Sequence, residues 1–195
     1  AVIVCSLRAL KAHAGICRLI PGKPQEKCLI KENLTALEKG LVNLKRHINN
    51  LKKFGLPVIV AINRFDTDTD REIEFIKRTS LELGADDCQV SSLWQAGSRG
   101  GIELALSVIR LASLPNRFKF LYPLNIPIKE KIGTIAREIY RAKKVSYSRL
   151  AEEKINLYSK LGWDKLPICM AKTHLSFSHN PKLFGAPEGF VLPVR

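Results

Sequence analysis

The chain reads as an α/β fold: a parallel sheet with flanking helices, followed by a smaller α/β lobe. Three observations predict it. Val58 to Ile62 is a continuous apolar run rich in β-branched residues, with turn chemistry on both sides, the pattern of a strand buried on both faces. Ala1 to Cys5 is a second short apolar run. Between the two, Leu34, Leu37, Leu41, Leu44, Ile48 and Leu51 recur at steps of three and four, one apolar stripe on a helix from about Lys31 to Phe54. Gly55 suits its C-cap, and Pro57 stops it from continuing. Strand, long helix, strand is a βαβ crossover, so the two strands should be parallel neighbours.

The later elements follow from the same signals. Asp66 to Thr69 (DTDT) suits the cap of a helix, and Asp70 to Leu83 is amphipathic with Gly84 behind it. Asp87 to Ser92 is a weaker third strand, and Ile102 to Leu114 the helix after it. Pro115 to Pro127 breaks the rhythm, which places a boundary between residues 1–114 and 115–195. Beyond it, Ile128 to Tyr140 and Ser148 to Leu161 are expected helices separated by a basic turn around Lys143, and Leu166 to Ala171 is strand-like. The segment Ser6 to Gly15 places Arg8, Lys11 and His13 just beyond the carboxyl end of the first strand, with His13 near a loop.

Composition narrows the class. With 46% hydrophobic and 26% charged residues in 195, the chain can bury a core. No apolar run approaches the roughly 20 residues a bilayer span needs, so no membrane partner is expected. The net charge of +14 favours anionic ligands, but no aromatic-studded basic motif accompanies it, and nucleic acid is not expected. Cys5, Cys17, Cys28, Cys88 and Cys169 are widely spaced and include no CxxC pair. Neither a metal site nor a disulfide framework is expected, and a reducing compartment is. The sequence does not begin with Met, no signal peptide is expected, and the chain is expected to be a piece of a longer protein.

Candidate site residues cluster at strand ends, where open α/β sheets bind ligands. Asn63, Arg64 and Phe65 follow the run at Val58. Arg8, Lys11 and His13 lie beyond the first strand, where Arg8 and Lys11 are candidates for an anion or phosphate and His13 is either a site residue or merely solvated. Trp94 precedes Gly97, Gly100 and Gly101, which permit a sharp bend or close approach to a ligand. Lys172, Thr173, His174, Ser176, Ser178, His179 and Asn180 form either a substrate loop or a hydrogen-bonded surface turn. No GxxxxGK[ST], GxSxG, HExxH or GxGxxG is present, so generic motifs name no reaction.

Longer patterns do. LRALKAH (Leu7 to His13), FGLPVIVAINRFDTDT (Phe54 to Thr69), WQAGSRGG (Trp94 to Gly101), LPICMAKTHLSFSHNP (Leu166 to Pro181) and GAPEGFVLPVR (Gly185 to Arg195) together resemble the formate–tetrahydrofolate ligase family, end to end. The resemblance implies an ATP-dependent ligase, using ATP with Mg, that activates formate as formyl phosphate and passes the formyl group to tetrahydrofolate in one-carbon metabolism. It implies an elaborated P-loop-type architecture whose P-loop lies upstream of Ala1, so that this chain alone should not turn over. Phe65 and Trp94 match the rings with which the family sandwiches the pterin. Asn63 is a candidate for reading the nucleotide base, or a simple cap. Lys172, Thr173, His174 and Ser176 match a segment expected to shape the site from the smaller lobe. A homo-oligomer is expected of the complete protein, in the cytoplasm, with mitochondrion or plastid open for a eukaryotic source. The other reading is a non-catalytic folate- or nucleotide-binding remnant.

The chain departs from the family pattern at Ala14 and Ile16, at Ser98, and at Arg141, where the family carries glycine. Any of these that needs a positive φ should cost on the order of 1 kcal/mol.

Overall fold

The computed structural model describes residues 1–17, 26–115, 117–171, 177–180 and 182–195. They form two compact units, Ala1–Phe118 and Lys119–Arg195.

In the first unit, strands β1 (Val2–Cys5), β2 (Ile59–Asn63) and β3 (Asp87–Ser91) form a parallel sheet in the order β1-β2-β3. Val2 to Cys5 lie opposite Ile59 to Ile62, and Ile59 to Asn63 opposite Asp87 to Ser91. Helices α1 (Leu7–His13), α2 (Lys27–Ile30) and α3 (Leu34–Lys52) lie between β1 and β2, and α4 (Asp70–Glu82) between β2 and β3. A short turn α5 (Leu93–Ala96), a 3-10 turn over Gly97–Gly101 and α6 (Ile102–Ala112) follow. The stripe on α3 is core packing as expected: Leu37, Leu44 and Ile48 pack with Leu7 and Leu10 of α1, Ile73 and Ile76 of α4, and Val58, Val60 and Ile62. The alternate residues Ile59 and Ala61 point to the opposite face, and α6 packs against β2 and β3. This two-sided cover explains why Val58 to Ile62 is apolar at every position.

The segment after β1, given no element in the sequence reading, forms α1. Ser6 caps it, its hydroxyl accepting from the Ala9 amide at 3.3 Å. Leu7, Leu10 and Lys11 share the buried face. Gly40 of α3 permits the contact, because a Cβ there would lie 2.1 Å from the Leu10 carbonyl oxygen.

In the second unit, α7 (Ile128–Glu138) precedes strand β4 (Lys144–Tyr147), α8 (Arg149–Lys160) follows it, and β5 (Val191–Val194) pairs with β4 in parallel. Tyr122, Ile135, Ala136, Tyr140, Phe177 and Leu192 form its core. The sequence reading differs from this in three places. The residues after Lys143 form β4 rather than a turn, and β5 carries Pro193, tolerated because a two-stranded sheet is all edge. Leu166 to Ala171 belongs to no strand. Its backbone is held by side chains instead: the buried Lys131 ammonium donates to the Asp164 and Leu166 carbonyls, and the Ile168 amide donates to the Tyr122 hydroxyl at 2.8 Å. Polar backbone that finds such partners needs no ladder.

Candidate functional site at the carboxyl ends of the first sheet

Asn63 is the last residue of β2, opposite Ser91, and the chain leaves the sheet as the Arg64 amide donates to the Ser91 carbonyl at 3.0 Å. A tight turn follows. The Phe65 amide donates to Asp68 Oδ2 at 2.9 Å, and the Asp68 amide returns to the Phe65 carbonyl at 3.0 Å. Thr69 then caps α4, accepting from the Glu72 amide. The Asp and Thr tract thus does two jobs, one acid fixing the turn and one hydroxyl starting the helix.

Phe65 is half-buried. Arg8, in the first turn of α1, lays its guanidinium carbon 3.9 Å from the centre of the Phe65 ring and donates from Nη2 to Thr67 Oγ1 at 3.0 Å. Its Nε is buried and meets no acceptor. On the neighbouring turn, Trp94 is 86% exposed. The adjacent Gln95 donates its side-chain amide to Asp66 Oδ1, tying the turn that carries Trp94 to the turn that carries Phe65. Gly100 lets the 3-10 segment fold back: its carbonyl accepts from the Ser92 amide at 3.0 Å, and a Cβ would lie 2.4 Å from the Ser92 carbonyl oxygen.

Arg8, Asn63, Phe65 and the turn bearing Trp94 therefore share one end of the sheet. Lys11 stands apart from them. It is fully buried, with Nζ 2.7 Å from Glu72 Oε1 and 2.8 Å from the Lys31 carbonyl, so its ammonium is already occupied within the core. The sequence position past β1 suggested an anion site, but α1 turns Lys11 onto its buried face. His13 closes α1. Lys172, Thr173, His174 and Ser176 lie outside the described residues. Thr67, Asp68 and Gln95 complete the arrangement and were not singled out in the sequence. Asp68 was legible only as part of a capping tract, and Gln95 carried no signal.

Burial pushes the Asp68 carboxyl above the usual carboxylate range and Glu72 adds to the rise, against the Phe65 amide, Arg8 and Lys11, which draw it down. Burial likewise lifts the Cys5 thiol to about 12 and the Cys88 thiol to about 11, which makes both core residues rather than nucleophiles.

The expectation of no disulfide is overturned. Cys17 and Cys28 are bonded, with Cα atoms 6.6 Å apart. They stand 11 positions apart in sequence, but α1 and α2 pack together and bring them within bonding reach. The Glu26 carboxylate lies beside them, yet the two sulfurs are joined to each other and not offered to a metal.

Such an array lies at the strand ends of a parallel sheet, the place where open α/β folds hold their ligands. A family model described as formate–tetrahydrofolate ligase matches residues 1–195, and the chain belongs to that family. It is 46% identical over 194 residues to the cytoplasmic C-1-tetrahydrofolate synthase of Homo sapiens, with all of this chain and 21% of that protein covered. It is 45% identical over 194 residues to the formate–tetrahydrofolate ligase of Desulforamulus reducens, covering 34% of it. A third relative, the formate–tetrahydrofolate ligase of Spinacia oleracea, is 45% identical over 196 residues, with 31% of its length covered. The chain thus spans between a fifth and about a third of these relatives. Among the described residues no helix is long and apolar enough to cross a membrane.

Proposed function

We propose that this chain supplies the folate-binding part of an ATP-dependent ligase that joins formate to tetrahydrofolate. Formate would take the terminal phosphoryl group of ATP to give formyl phosphate, and the folate amine would then take the formyl group and release phosphate. The observation that carries this reading is the linkage of the Phe65 and Trp94 turns through Asp66 and Gln95 at the carboxyl ends of β2 and β3. Two rings on adjoining turns suit a flat pterin, since stacking supplies apolar area and π contact without demanding a particular hydrogen bond. The 86% exposure of Trp94 is what an open platform awaiting its ligand would have.

Asn63, at the end of β2, is assigned to the nucleotide base. Lys11 is assigned to the core, because a buried ammonium already paired with a carboxylate has little left to offer a phosphate. ATP enters with its magnesium as cosubstrate, and no residue of this chain is assigned to the metal. The human relative is named as cytoplasmic, and we propose the same compartment here, which cell fractionation checks. Formyl transfer by the complete protein tests the whole reading. Trp94→Ala should raise the KM for tetrahydrofolate, Asn63→Ala should raise the KM for ATP, and neither should affect the other substrate.

A further inference from the structure

We propose that Arg8 and Asp68 are positioning residues for Phe65, which together hold its ring so that a single face is presented to the pterin. This inference rests on the folate reading above and goes beyond it, since it concerns two residues that need not touch the substrate.

The ring sits on a turn closed by the Asp68 amide on the Phe65 carbonyl, and its direction needs more than that one bond. Two contacts fix it. From behind, the Arg8 guanidinium lies 3.9 Å from the ring centre, which is direct contact with one face. A ligand can therefore stack on the other face alone. The guanidinium is itself anchored, by Nη2 to Thr67 Oγ1 at 3.0 Å and by its place on a capped helix packed against α3. From below, the Asp68 carboxylate, only 5% exposed, accepts from the Phe65 amide at 2.9 Å and closes the turn. A ring fixed in advance spares the complex the ordering that a loose ring would require. The planar guanidinium is the part that a lysine cannot reproduce.

The test is steady-state formyl transfer by the complete protein, with tetrahydrofolate and ATP varied separately. Arg8→Met should raise the KM for tetrahydrofolate about three- to ten-fold and leave the KM for ATP unchanged. Arg8→Lys, which keeps the charge and loses the plane, should fall between. Asp68→Ala should also raise the folate KM, whereas Asp68→Asn, which keeps an oxygen to accept from the Phe65 amide, should restore it. Mere structural damage would move both KM values and would not be rescued by Asn. An Arg8→Met variant whose KM for ATP or formate rises while that for folate stays put would overturn the proposal in favour of a phosphate contact. Trp94→Ala, run alongside, separates the two levels. If it raises the folate KM and Arg8→Met does not, only the positioning role fails; if it leaves the folate KM unchanged, the folate reading and this inference fail together. Should Arg8→Met lose its circular dichroism signal, Arg8→Lys and the Asp68 pair decide the matter.

Discussion

Replacing Lys11 by Met should destabilise the protein by about 3–5 kcal/mol, the range for removing one partner of a buried ion pair. The structure puts the case at this end of the scale. Both side chains are fully buried, and the substitution removes the 2.7 Å ion pair and the 2.8 Å bond to the Lys31 carbonyl together. Glu72 is then left with one partner, the Asn33 amide at 2.7 Å, while its Oε2 has none to begin with. An exposed pair would contribute less than about 1 kcal/mol. Urea unfolding at pH 7 followed by circular dichroism reads the difference, provided the slope is unchanged. The stranded charge is the reason for the loss, so adding Glu72→Gln to Lys11→Met should recover at least about 1 kcal/mol, Gln still accepting from Asn33. A loss below about 1 kcal/mol, or two substitutions that simply add, would refute the argument.

Two further outcomes follow from the backbone and the carboxylates. Arg141 is the one non-glycine with a left-handed backbone among the described residues, at φ 57°, and its side chain is exposed. Arg141→Gly should therefore stabilise the protein by roughly 0.5–1 kcal/mol, read as a rise in Tm, and an unchanged or lower Tm would contradict the strain. Burial raises the Asp86 carboxyl, but its bonds to Lys52 at 2.5 Å and to the Val58 amide at 2.6 Å outweigh this and hold it below the usual range. A depressed folded pKa contributes stability that is present above the ordinary carboxylate value of about 3.9 and lost as pH falls through the folded one. Asp86→Asn should accordingly lower the urea midpoint at pH 7 and leave it nearly unchanged at the acid end, and an equal loss at both would count against the linkage. Asp68, raised by burial, acts in the opposite sense, since its ionisation weakens the fold as pH rises.

The sheet was legible in the sequence because its signals are local. The apolar run at Val58, the stripe on α3 and the cap at Thr69 each lie within one element, and β1, β2 and β3 appear where those signals put them. Helix α1 was not legible although Ser6 is an ordinary cap, because seven residues with Leu7 and Leu10 on one face are too short to establish a helical period. The second unit was harder for a physical reason. Lys144 to Tyr147 is half polar, Pro193 argues against a strand, and the apolar Leu166 segment finds side-chain partners in Lys131 and Tyr122 that no periodicity announces. Of the site, the strand-end residues Asn63 and Phe65 could be read directly. The departures from the family pattern were legible too, but only backbone geometry shows that Arg141, and not Ser98, carries the positive φ. The stack of Arg8 on Phe65 and the bond from Gln95 to Asp66 join residues dozens of positions apart, and nothing in the linear pattern encodes them.

The most direct test of the account is the KM for tetrahydrofolate in ATP- and formate-dependent formyl transfer by the complete protein, compared with its Trp94→Ala variant. Loss of one stacking ring should weaken folate by about 1–3 kcal/mol, roughly a 5- to 140-fold higher KM, with the KM for ATP unchanged. Formyl transfer with a folate KM indifferent to that substitution would contradict the claim that these strand ends hold the pterin.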